Sequence, residues 1–204
     1  SFDNCYFENN TAPSSGAVHF HSGNSIVNNC TFVGNKAQGH GNEDEEGYAG
    51  ALGLVYTNNN GVTINNSKFY NNTASRDGGA VQIIGGGSNA KIFNSEFENN
   101  TATYGGAVSV VGSNTQITNS TFKNNDANTT SAAEGGGAVY IAGSGTNITG
   151  STFANNTAAE EGGAVFVRGT NTRIVNSTLA DNIAGDDGGA IYWEGDNGTV
   201  YNIT

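Results

Sequence analysis

The 204-residue chain contains no methionine, one proline (Pro13), one tryptophan (Trp193) and two cysteines (Cys5 and Cys30). Positive charge is scarce. Seven Lys and Arg face 18 Asp and Glu, a formal charge of −11, which excludes nucleic acid as a partner because phosphates demand a basic face. It suits solubility and attraction of cations. No apolar run approaches the roughly 18 residues of a membrane span. The N-terminus shows no basic-then-apolar leader, so a mature chain or an excised piece is expected. Two cysteines do not settle the redox compartment.

Glycine, Asn, Ser and Thr dominate, and apolar residues make up only 35%. Without order, such a composition does not bury enough surface to fold. Order is present. An aromatic-x-x-Asn phrase recurs at Phe7/Asn10, Phe32/Asn35, Phe69/Asn72, Phe97/Asn100, Phe122/Asn125 and Phe153/Asn156, with Leu179/Asn182 as a seventh copy. Each is followed by Gly-Ala and an aliphatic, from Gly16-Ala17-Val18 to Gly189-Ala190-Ile191. An aliphatic-x-Asn phrase such as Ile117-Thr118-Asn119 completes the unit.

The spacing assigns the architecture. From Asn to the next Ala is 7 or 8 residues in five copies, but 16 from Asn35 to Ala51 and 13 from Asn125 to Ala138. Extra residues thus collect at one joint, at about 36–49 and 126–135, as they do where one repeat is one coil of a solenoid. Within a coil the apolar period is two: Val165 and Val167 point one way and Phe166 the other. The expectation is an all-β, right-handed parallel β-helix, one domain over 1–204. It should have about seven coils of about 26 residues, three short strands to a coil, and a length of roughly 30–35 Å.

Three inward columns follow: Val18 to Ile191, Phe20 to Trp193, and Phe7 to Leu179. The column from Asn10 to Asn182 is expected to form an amide ladder, each amide satisfying the next. Cys5 and Cys30 take the small inward position held elsewhere by Ser67, Ser95, Ser120, Ser151 and Ser177. Stacked Cβ vectors fit disulfide geometry poorly, so a buried thiol ladder is expected.

Paired Phe-x-x-Asn and Gly-Gly-Ala-Val/Ile phrases resemble the polymorphic outer-membrane protein repeats of chlamydial autotransporter passengers and the adhesin-like proteins of methanogens. The resemblance spans the chain. It departs at Leu179 and at Tyr48-Ala49-Gly50, where the double glycine is interrupted. It implies a surface-displayed passenger or adhesin and carries over no catalytic residue.

Four chemistries are weighed on the surface. The acids Asp77, Glu134, Glu160, Glu161, Asp186 and Asp187 precede the glycines. They are read as solvated turn residues, with Ca²⁺ between neighbouring turns as the alternative. His19 and His21, i and i+2 on one strand, join His40 and the acids 43–46 as a candidate divalent-metal site, against a bland acidic loop. The outward residues Tyr140, Phe166 and Tyr192 form a candidate aromatic strip for a sugar face or protein partner. The alternatives are that they stiffen the sheet or lie beneath the 125–138 insertion. Twelve Asn-x-Ser/Thr sequons occur, of which Asn128, in that insertion, is the candidate glycan acceptor.

No cofactor is implied. The expected role is a non-catalytic, extracellular, adhesin-like stalk or display surface, with glycans or proteins of a host or neighbouring cell as partners. Copies stacked end to end into a filament are the alternative. A polysaccharide-active enzyme is the third reading, since fold alone does not decide function.

Overall fold

The computed structural model describes residues 1–21, 23–39, 47–55, 61–85, 89–128 and 135–204. Their regular structure is entirely β, and every strand pairing is parallel between one coil and the next. The chain winds as a right-handed solenoid of about seven turns.

Each coil carries four short strands rather than three. The fourth coil shows them as Lys91–Phe93, Glu96–Glu98, Thr101–Ala102 and Val108–Val110. The addition is the two-residue Thr-Ala strand after each ladder asparagine, which points Ala37, Ala74, Ala102 and Ala127 into a buried column. Two of the four faces are counted as one sheet, because Arg173–Ala180 runs unbroken around their shared corner.

Register places like over like throughout. Val81, Val108, Val139 and Val165 are direct partners, as are Ile83, Val110, Ile141 and Val167. Val27, Ile64, Ile92, Ile117, Ile148 and Ile174 form a further column on the opposite wall. The phenylalanine rings from Phe7 to Phe153 stack at centroid distances of 4.7–4.8 Å with planes within 7°. That spacing is the parallel-strand repeat itself, imposed on rings that would otherwise prefer an offset.

The asparagine ladder forms as expected. Each Nδ2 donates to the Oδ1 one coil on at 2.9–3.0 Å. The same Oδ1 accepts the preceding asparagine's backbone N–H at 3.0–3.1 Å. The second Nδ2 hydrogen reaches back to the previous coil's phenylalanine carbonyl at 3.0–3.1 Å. From Asn35 to Asn156, two donors and two acceptor sites are therefore all used, which is what lets a primary amide sit fully buried.

The serine column behaves alike. Backbone N–H groups donate to the Oγ one coil on at 3.2 Å, from Cys30 to Ser67 and onward to Ser177. Cys5 and Cys30 occupy its first two places as free thiols. The residue before each ladder asparagine turns the corner with a left-handed backbone: Asn71, Asn99 and Asn155 have φ of 56°, 56° and 54°. Asparagine tolerates this region better than most residues.

Insertions leave this frame untouched. Ladder rungs are separated by 25, 37, 28, 25, 31 and 26 residues without loss of register. Where the longest departs, Gly39 and Gly47 both donate their N–H to the carbonyl of Pro13, pinching its base.

One small column is imperfect. Val62, Ala90, Thr115, Thr146 and Thr172 stack at the remaining corner, and the hydroxyls of Thr115 and Thr146 are buried without a partner among the described residues. A buried hydroxyl lacking a hydrogen bond costs about 1–3 kcal/mol. Thr146→Val, a residue type the column already accepts at Val62, is expected to stabilise the fold by about 1 kcal/mol in chemical denaturation.

Candidate functional site

The aromatic strip is in register but is not open. Tyr140, Phe166 and Tyr192 are direct partners, with rings 5.4 and 5.2 Å apart and tilted by 25° and 24°. Yet Tyr140 is 7% and Phe166 0% exposed, and Tyr192 is half-buried. The expectation of an exposed ladder is therefore corrected. Period two fixes which way a side chain points, and a second layer covers that side.

The cover is the segment before each Gly-Gly-Ala. Its first glycine is left-handed, with φ of 69° at Gly162, and a Cβ there would lie 2.6 Å from the Val165 carbonyl oxygen. The next, Gly163, lies against the following coil, where a Cβ would come within 2.1 Å of the Gly189 oxygen. Only glycine permits this close reversal without displacing the backbone. Ahead of it, an arch folds back over the strand's outer face.

The arch residues meet the outward column directly. Ser15 Oγ lies 2.8 Å from His19 Nδ1, Gln82 Nε2 donates to Asp77 at 3.4 Å, and the Tyr104 ring lies 5.6 Å from that of Tyr140. The Tyr48 ring carries the Arg76 guanidinium at 5.1 Å, and Arg76 donates to its hydroxyl at 2.7 Å.

Glu161 departs most from expectation. Read from the sequence as a solvated turn acid, it is 8% exposed, the one acidic or basic side chain buried among the described residues. Burial pushes its carboxyl above the ordinary range, and the nearby charges of Glu194, Asp186 and Asp187 add to this. A hydrogen bond from Tyr192 works the other way. The same carboxylate, by its charge, raises the Tyr192 phenol. Sequence reasoning missed this group because its cover depends on how the final arch folds.

The histidine pair is brought together. His19 and His21 are exposed with ring centroids 4.6 Å apart, and burial, then the His21 charge, lower the His19 pKa. His40 and the acids 43–46 lie outside the described residues, as does Glu134. Among the described residues no three His, Cys, Asp or Glu side chains converge to hold a metal.

Asn128 is exposed and is anchored by its own N–H to the Ala102 carbonyl at 2.9 Å. The sequons of the doublets fall on Asn71, Asn99 and Asn155, the exposed left-handed residues, and not on their buried ladder neighbours. An open depression of about 380 Å³ lies at another corner, lined by Asn24, Ser25, Ile26, Gly61, Thr63, Asn89 and Lys91. It was not foreseen, because it forms between corners of successive coils that share no motif.

All three arginines are engaged: Arg76 with Tyr48 and Asp77, Arg168 with Glu194 at 4.0 Å, and Arg173 with the Tyr201 hydroxyl and ring.

A family model described as a right-handed beta helix region matches residues 1–127. The chain belongs to that family. Right-handed β-helix proteins share the winding seen here, and the second match is more particular. The model of the Chlamydia polymorphic membrane protein repeat matches residues 150–168, one full pass from the serine column through Phe153, Asn156 and the Gly-Gly-Ala phrase. This β-helix thus has a repeat similar to that of polymorphic membrane proteins. No curated protein and no solved structure gives a significant match. No helix of the described residues is long and apolar enough to cross a membrane.

The Glu161 environment carries a pH signature. A carboxyl whose folded pKa is raised favours the folded state when protonated, and that contribution is lost as pH rises through the folded value. Glu161→Gln, which keeps an acceptor for Tyr192, is therefore expected to melt higher than the parent at pH 7. The difference should shrink toward zero below the ordinary glutamate pKa of about 4.3. Melting curves across that range check it.

Proposed function

We propose that the chain is a non-catalytic, extracellular cell-surface solenoid, an adhesin-like stalk that displays its variable exterior to glycans or proteins of another cell. One observation carries the reading. The repeated Asn, Phe and Gly of the described coils hold coil on coil, in ladders, ring stacks and glycine reversals. The similarity to polymorphic membrane protein repeats supports a surface location, and a charge of −11 keeps a long rod soluble and separate from its neighbours.

Burial of Tyr140 and Phe166 moves the proposed contact surface outward, from the strand to the arches above it. Two places before the glycine of each Gly-Ala stand Ser14, Tyr48, Asp77, Tyr104, Gly135, Glu161 and Asp187, so the arch row changes identity from coil to coil while the frame beneath stays constant.

Antibody raised to the folded chain is expected to label intact source cells, and beads coated with the chain should bind cells saturably. Polysaccharides incubated with it should gain no reducing ends and no unsaturated products. Labelling only after permeabilisation contradicts the surface role, and product formation contradicts the absence of catalysis.

A further inference from the structure

One outward row of the solenoid is free of acids. Ile26, Thr63, Lys91, Gln116, Asn147 and Arg173 stand in register, one to each coil, and all but the partly buried Thr63 are exposed. The chain's 18 Asp and Glu are absent from every stretch that holds this row: 24–28, 56–66, 86–94, 112–119, 143–150 and 169–176. The only charged residues in those stretches are Lys91 and Arg173. Exposed charges on other faces are screened over about 8 Å at physiological salt, so a chain of net charge −11 still accepts an anion here.

The open depression of about 380 Å³ lies at one end of the row, and Lys91 lines it. Its origin is a missing side chain. Two residues back from the in-register Ile26, Thr63 and Lys91 stand Asn24, Gly61 and Asn89. Asn24 and Asn89 turn their corners with φ of 58° and 68°, and the glycine between them leaves a notch. No side chain fits there, since a Cβ on Gly61 would lie 1.9 Å from the Asn89 carbonyl oxygen. Ser25 and Thr63 add hydroxyls to the lining, and Ile26, 48% exposed, adds an apolar patch.

This lining selects among ligands. One ammonium suits one carboxylate, and a charge-assisted hydrogen bond is stronger than a neutral one. Amides and hydroxyls both donate and accept, which matches the hydroxyls of a sugar ring, while Ile26 suits its C–H face. A polyphosphate calls for several cations, and an apolar ligand would strand the amides without partners. The volume is that of a small-molecule site. We propose that the notch binds a carboxylate-bearing sugar residue of a glycan, with the carboxylate on Lys91 and the ring hydroxyls on Asn24, Asn89, Ser25 and Thr63. The inference rests on the reading of the chain as a glycan-contacting surface protein, and it adds a contact on a sheet other than the one the arches cover.

Sialyllactose and a glucuronate-terminated disaccharide, each beside its methyl ester, are titrated into chain labelled with nitrogen-15 and followed by NMR. At least one of the two acids should give saturable shifts centred on the backbone amides of 24–26, 61–63 and 89–91. Its ester, which loses the charge and keeps the hydroxyls, should bind about tenfold more weakly. Lys91→Gln should lose affinity for the acid by a similar factor. Arg173→Gln, the same change in formal charge three coils along, should bind as the parent does. Four results overturn the inference: no shift of those amides with either acid, an ester that matches its acid, a Lys91→Gln variant that matches the parent, or acetate that competes as well as the sugar. Cell binding by coated beads is read in parallel. Beads that hold cells although neither acid binds overturn this site and leave the surface role standing.

Discussion

A buried primary amide is expensive unless all of its hydrogen-bonding capacity is met. The asparagine column meets that condition by pairing each side chain with the coil before and the coil after. Asn100 is representative: it accepts from Asn72 twice and donates to Asn125 and to the Phe69 carbonyl. Since the amide is satisfied only when coils are one strand spacing apart and in register, the ladder fixes both quantities. The phenylalanine stack at 4.7–4.8 Å and the matched Val and Ile columns inherit them. A slip of one residue would strand an unsatisfied amide in every coil and turn the apolar columns outward.

Because the frame is fixed at the corner, most of the variation in length falls in the segment that follows it. The 37-residue interval between Asn35 and Asn72 and the 31-residue interval between Asn125 and Asn156 disturb no rung. Chain added there leaves the stack and returns to it. The arches make the same point at smaller scale, covering Gln82, Tyr140 and Phe166 with residues that differ in each coil. Constancy inside and variety outside is the pattern expected of a display scaffold, and it agrees with the similarity to polymorphic membrane protein repeats.

The inward columns were legible in the sequence, because period two and a constant offset from Phe to Asn leave little freedom in stacking. The ladder was legible for a sharper reason: its seven positions are asparagine without exception. The corner beside it was not recognised, although a signal exists. Gly34 and Asp181 replace asparagine there, so the position demands a left-handed backbone and not an amide. The Thr-Ala strand was too short to show a period. The arches escaped because alternation reports direction and not cover, which is why Phe166 and Glu161 were both expected in water and both are buried.

Side-chain amide hydrogen exchange, followed by NMR on chain labelled at asparagine nitrogen, tests the ladder most directly. The account predicts two populations. The Nδ2 protons of Asn35, Asn72, Asn100, Asn125 and Asn156 should exchange only on global unfolding, while those of Asn71, Asn99 and Asn155 exchange at the rate of exposed amides. A single fast population, with ladder and corner asparagines alike, would contradict it.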